Sequence, residues 1–162
     1  MTDTILMPSR RGFLVVSGLG LVLAGCSTVS GPASQYGAED HTAAALPLVN
    51  RVRASRDLPP LTANGMARKA AVEQAARMAK AQQMTHLIGR GDSFLDRMKR
   101  RDVPLPASEN IASGQASVEA AVEAWINSRS HLTNMLGSYR GLGVAVARST
   151  ASRPYWAMVL SA

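Results

Sequence analysis

The chain has few of the residues with which small exported domains staple themselves together. A single cysteine, Cys26, stands among 162 residues. No intramolecular disulfide can form, so the fold must hold by its core alone. Aromatic residues make up 4%, and no aromatic-rich strand offers a platform for stacking bases. The excess of cations, net +7, is therefore not read as a nucleic-acid surface. No Gly-x-Ser-x-Gly elbow surrounds any serine, which leaves the hydrolases built on that turn without support. The longest apolar run, Phe13 to Ala24, falls well short of the ~20 residues that a membrane-spanning helix needs. No repeat or low-complexity segment is present.

What is present begins with an export address. Ser9-Arg10-Arg11-Gly12-Phe13-Leu14 is a twin-arginine sequence ahead of that short apolar run, whose length suits the hydrophobic region of a signal peptide. Leu23-Ala24-Gly25-Cys26 ends it and resembles the lipobox of bacterial lipoproteins, in which the cysteine is acylated and becomes the first mature residue. The expected organisation is a signal peptide over residues 1–25, a flexible tether over 26–40 and one domain over 41–162. The expected location is outside the cytoplasm, on the periplasmic or cell-surface side, with the membrane as partner through lipidated Cys26. Ser27 after the cysteine favours outer-membrane sorting in a cell with two membranes. The tether, small and polar, spans ~20 Å if flexible.

Hydrophobic periodicity then divides the domain. Ala45, Leu48, Val49 and Val52 recur at helical spacing over 42–55, with Pro47 expected to delay the first turn. Thr62 or Asn64 caps a second helix running to about Gln83, with Ala67, Ala71, Ala75 and Met78 inward and Arg68, Lys69, Glu73 and Lys80 outward. Residues 84–92 read as a loop, and Ser93 caps a short helix to about Arg101. Residues 107–112 suggest a strand, and Ser117 caps a third main helix ending near Ser128. Leu142–Ala147 and Tyr155–Leu160 are β-like runs expected to pair as an antiparallel hairpin. The cluster Arg97, Lys99, Arg100 and Arg101 reads as a solvated basic face, suited to anionic lipid or other acidic envelope polymers. The fold class is α+β.

Titratable groups are sparse and gathered. His86, Glu109 and His131 are reasonable ligands for a divalent metal such as zinc, although the two histidines lie far apart in sequence and form no local metal motif. Glu109 could equally be a structural group. Ser128 stands three residues before His131, but no acid is placed by motif to orient that imidazole. Trp125 reads as core. Asn110 and Asn134 read as turn-fixing groups, Glu119 and Glu123 as solvated, and His41 as surface.

In order and spacing, these pieces resemble the CAP superfamily of cysteine-rich secretory, antigen 5 and pathogenesis-related proteins, also called SCP domains. The resemblance rests on Leu48-Val-Asn50-Arg-Val-Arg53, Leu58-Pro-Pro-Leu61, Met84-Thr-His86 and Ser108-Glu-Asn-Ile-Ala112. It continues through Trp125-x-x-Ser128-x-x-His131-x-x-Asn134, Gly141-Leu-Gly143-Val144 and Tyr155-Trp156. It implies a three-layer α-β-α sandwich with a small antiparallel sheet. It also implies a shallow cleft that in the family holds two histidines and two acids, with a divalent metal in some members. His86, Glu109 and His131 match three of the four; Ser128 stands where many relatives carry Glu. Because sterol and fatty-acid binding occur in the family, the resemblance makes a non-catalytic envelope module for a lipid or other envelope ligand the leading expectation. A metal-dependent hydrolase or peptidase using His86, Glu109 and His131 is the alternative, and a structural protein with a vestigial cleft the third reading.

Overall fold

The computed structural model describes residues 37–162, so the expected signal peptide, Cys26 and most of the expected tether lie outside the described residues. The elements follow as β1 (Ala38–Asp40), α1 (Thr42–Ala54), β2 (Thr62–Ala63), α2 (Gly65–Ala81) and α3 (Phe94–Arg100). Then come β3 (Ala107–Ser113), α4 (Val118–Ile126), α5 (Arg129–Met135), β4 (Gly141–Arg148) and β5 (Pro154–Ser161). Among the described residues no helix is long and apolar enough to cross a membrane.

The sheet runs β1-β4-β5-β3, with β2 sharing an edge of β4. β4 and β5 pair antiparallel with Leu142 opposite Leu160 and Ala147 opposite Tyr155. Every residue of β5, and all of β4 except Arg148, is buried, as expected of strands covered on both faces. Alternation divides their side chains between two cores. Ala145, Ala147, Tyr155, Ala157 and Val159 pack under α2 and Met98 of α3. Leu142, Val144, Val146, Trp156, Met158 and Leu160 pack against α1, α4 and Met135 of α5. This is the three-layer α-β-α sandwich that the resemblance implied.

Local signals explain most boundaries. Asn64 caps α2 by accepting from the N–H groups of Met66 and Ala67 at 3.0 and 2.9 Å, Ser93 caps α3, and Ser117 caps α4. The alanine stripe of α2 is fully buried and lets the helix lie close on β4, close enough that a Cβ at Gly143 would run into the backbone of Ala67 and Arg68.

Three expectations need correction, and one buried contact was not foreseen. Residues 38–40, assigned to the tether, form β1, held to β4 with Ala38 opposite Ala147. Pro47 does not delay α1, which starts at Thr42 and accommodates the proline on its exposed side. A separate helix, α5, follows α4 after a break at Asn127 and Ser128. Arg53 is buried and bonds the carbonyls of Pro59, Met135 and Gly137 at 2.8–2.9 Å, so it ties the end of α1 to the end of α5.

Candidate functional site

β3 lies at the edge of the sheet, and its alternation sends successive side chains into opposite layers. Ala107 and Ile111 pack in the layer of α2 and α3, and Ala112 in the other. Glu109 accordingly faces the first layer and Asn110 the second. Two polar networks meet there, one on each side of a single strand.

The first is built on Glu109. Arg97 from α3 donates from Nη1 to Oε2 at 2.8 Å and from Nη2 to Oε1 at 2.9 Å. This two-point geometry is the strongest a guanidinium and a carboxylate can make. The side chains are 1% and 2% exposed. Nη2 also donates to the carbonyl of His86 at 3.1 Å, and the His86 ring, Nδ1, pairs with Oε1 at 2.9 Å. The imidazole itself is presented to solvent, its side chain 53% exposed. The 97–101 cluster is therefore not one solvated face. Arg97 turns inward, while Arg100 and Arg101 bind Glu73 and Arg100 also binds Asp92. Glu73 is correspondingly not free on the outer face. Burial would raise its pKa, but hydrogen bonds and charge from Arg101 and Arg100 bring it below the ordinary carboxylate value.

The loop carrying His86 is pinned from below. Gln74 donates to the carbonyl of Thr85 at 2.8 Å, and Arg77 reaches the carbonyl of Ile88 and the carboxylate of Asp92.

The second network fixes α5. Asn110, fully buried, donates to the carbonyl of His131 at 3.0 Å and accepts from Nδ2 of Asn134 at 2.8 Å. Both asparagines thus join β3 to α5 instead of fixing their own turns. His131 is half-buried. Burial holds its pKa below the ordinary value, and the neighbouring His86 adds to that by charge repulsion.

The structure brings His86 and Glu109 into direct contact and sets His131 within electrostatic reach of His86. It does not join Ser128 to them: the Ser128 hydroxyl pairs with Ser130 at 3.4 Å. A separate open depression of about 680 Å³ runs along α5, lined by Ser128, Arg129, Ser130, Thr133 and Asn134 and by none of His86, Glu109 and His131. As a donor set for a cation, the site fits poorly. Both Glu109 oxygens are taken by a guanidinium whose charge opposes a second cation. Among the described residues, no three His, Cys, Asp or Glu side chains form a metal-holding group. The residue that sequence reasoning missed is Arg97, hidden in a basic run that offered no sign of which member points inward. Trp125 is core as expected, 1% exposed, and Glu119 and Glu123 are exposed. His41 is half-buried, edge-on to Trp156 with ring centroids 5.3 Å apart.

Comparison with known proteins places this arrangement. The model of the Cysteine-rich secretory protein family (CAP) matches residues 46–160. An uncharacterized Bacillus subtilis protein, YkwD, is 30% identical over 125 residues, covering 76% of this chain and 48% of its own length. The chain thus spans about half of that relative. Among solved structures, an extracellular protein containing a SCP domain from Bacillus anthracis is similar with a TM-score of 0.66 at 24% identity, over 75% of this chain and 40% of its own. An outer surface protein of Borrelia burgdorferi gives 0.63 at 21% identity, over 71% and 86%. At these identities the structural likeness shows the fold alone.

Proposed function

The chain belongs to the Cysteine-rich secretory protein (CAP) family, and from that premise we propose that it is a lipid-anchored, non-catalytic binding module of the cell envelope. Its cleft at the β3 edge takes a polar, anionic envelope polymer. One observation carries the non-catalytic reading: Arg97 occupies both oxygens of Glu109 inside the core. A carboxylate so held is neither a free general base nor a free metal ligand, because either role would break a buried ion pair. What this edge of the sheet offers instead is an exposed imidazole at His86 and, on α5, a depression of hydroxyl and amide groups lined also by Arg129. Such groups suit hydrogen bonds to sugars and pairing with anions better than burial of a sterol or acyl chain. Support for the envelope location comes from the twin-arginine and lipobox sequences and from relatives described as extracellular or outer surface proteins.

Co-sedimentation of the full chain with purified peptidoglycan sacculi tests this, with metal content measured on the same preparation. Retention on sacculi in wild type, reduced severalfold in His86→Ala and Arg129→Ala and accompanied by no stoichiometric metal, is the expected result. Absence of retention would overturn the polymer reading. A bound metal lost together with hydrolytic activity in His86→Ala and His131→Ala would put the hydrolase in its place.

A further inference from the structure

We propose that the basic depression at the C-terminal end of α2 docks the domain onto anionic lipid head groups of the membrane that holds Cys26, an inference that rests on the lipid-anchor reading above. The depression, about 460 Å³, lies between the last turns of α2 and the β4–β5 turn. Ala76 and Ala79 contribute an apolar floor, while Lys80, Arg148 and Thr150 supply two cations and a hydroxyl around it; Arg77, which also lines it, is taken up by Asp92. Lys80 and Arg148 are exposed, and neither has an acidic partner among the described residues. Glu39, the nearest acid by strand register, sits opposite Val146 and shares the face of Arg148, but it pairs with His41 at 3.4 Å. The cations are not spent on closing the helix either. The carbonyls of Ala79 and Met78 already accept from the backbone N–H groups of Gln82 and Gln83.

Geometry then selects the occupant. Ala38 pairs with Ala147, the residue before Arg148, so the chain enters the domain one strand spacing, ~4.8 Å, from the rim of this depression. Residues 27–37 separate that point from Cys26, a stretch of chain that can reach at most ~40 Å. An acyl chain on Cys26 would keep this end of the domain near the lipid surface at high effective concentration. Unpaired cations held there meet the negative potential of an anionic leaflet within a few Debye lengths of ~8 Å. Two such charges correspond to about a thirtyfold gain in partitioning toward the docked orientation. Docking by this end leaves the polymer-binding cleft as a separate site at the β3 edge of the sheet.

The test uses the full chain purified from membranes with its anchor intact, first weighed as the intact protein. It is then placed in phosphatidylcholine vesicles and in phosphatidylcholine–phosphatidylglycerol vesicles. Amide hydrogen exchange is followed in peptides covering residues 76–82 and 148–153. Exchange there should slow about tenfold in the anionic vesicles only, and the protection should vanish in Lys80→Glu, Arg148→Glu and at high salt. Equal exchange in both vesicle types, or protection that survives the double variant, overturns the docking surface. If the intact mass shows no acyl group on Cys26, the anchor reading fails by itself, and co-sedimentation of the same chain decides the surface. Binding to anionic but not neutral vesicles, lost in the double variant, sustains it; absence of binding overturns it.

Discussion

Arg97 and Glu109 form a two-point ion pair, at 2.8 and 2.9 Å, between the short helix α3 and the edge strand β3. With both side chains essentially excluded from solvent, the pair is the pivot of the cleft. It fixes the carboxylate that orients His86, and through the His86 carbonyl it fixes the loop as well.

Removing one partner should therefore be far worse than removing both. Arg97→Met leaves a buried carboxylate beside only a half-exposed imidazole, and should lower stability by about 3–5 kcal/mol. Arg97→Met combined with Glu109→Gln should recover part of that loss. Arg97→Lys should not restore wild-type stability, because an ammonium lacks the two-point fork. Urea unfolding of the four proteins checks the order.

A pH dependence follows from His131. Its folded pKa lies below the ordinary 6.5 because of burial and the charge of His86. As pH falls through about 6.5 the unfolded chain takes up the proton first, so stability drops until the folded value is reached and then levels. Losses from Asp40 and Glu73, whose pKa values are also lowered, begin only below their ordinary values of 3.8 and 4.5. Denaturation midpoints measured between about pH 8 and pH 5 should show this drop in wild type and a smaller one in His131→Gln.

Asn110→Ala should destabilise more than Asn134→Ala. The first orphans both the His131 carbonyl and the Asn134 amide, at about 1–3 kcal/mol for each group that stays buried, whereas the second removes a single bond. Thermal unfolding should rank them, and the chemical shift of the His131 ring should move in both as α5 loosens.

Gly143→Ala should cost at least ~1–3 kcal/mol. The added methyl meets helix backbone at Ala67 and Arg68, not the flexible end of a side chain, so it can be accommodated only by lifting α2 off β4. A Gly65→Ala control, where a Cβ meets nothing, should be neutral or mildly stabilising.

Much of the fold was legible in local sequence. The alanine stripe of α2, the caps at Asn64, Ser93 and Ser117 and the apolar runs of β4 and β5 each carry a short-range signal, and each marks its element. The ends were read less well where one element leans on another. Residues 38–40 look like linker because β1 has only three residues and draws its hydrogen bonds from β4, more than a hundred positions away. α5 was invisible because its seven residues carry one fully buried side chain, Met135, and its place is set by Asn110 and Arg53 from other elements.

The sequence by itself determined the family motifs and the elements whose apolar period repeats over several turns, since these depend on neighbours along the chain. It also named His86, Glu109 and His131 as the residues of interest. Only the tertiary structure decided what those residues are. Periodicity cannot say which of four cations in the 97–101 run turns inward, and Arg97 does so because Glu109 stands opposite it on β3. That long-range pairing makes the carboxylate a fixed structural anion and leaves the His86 ring facing solvent.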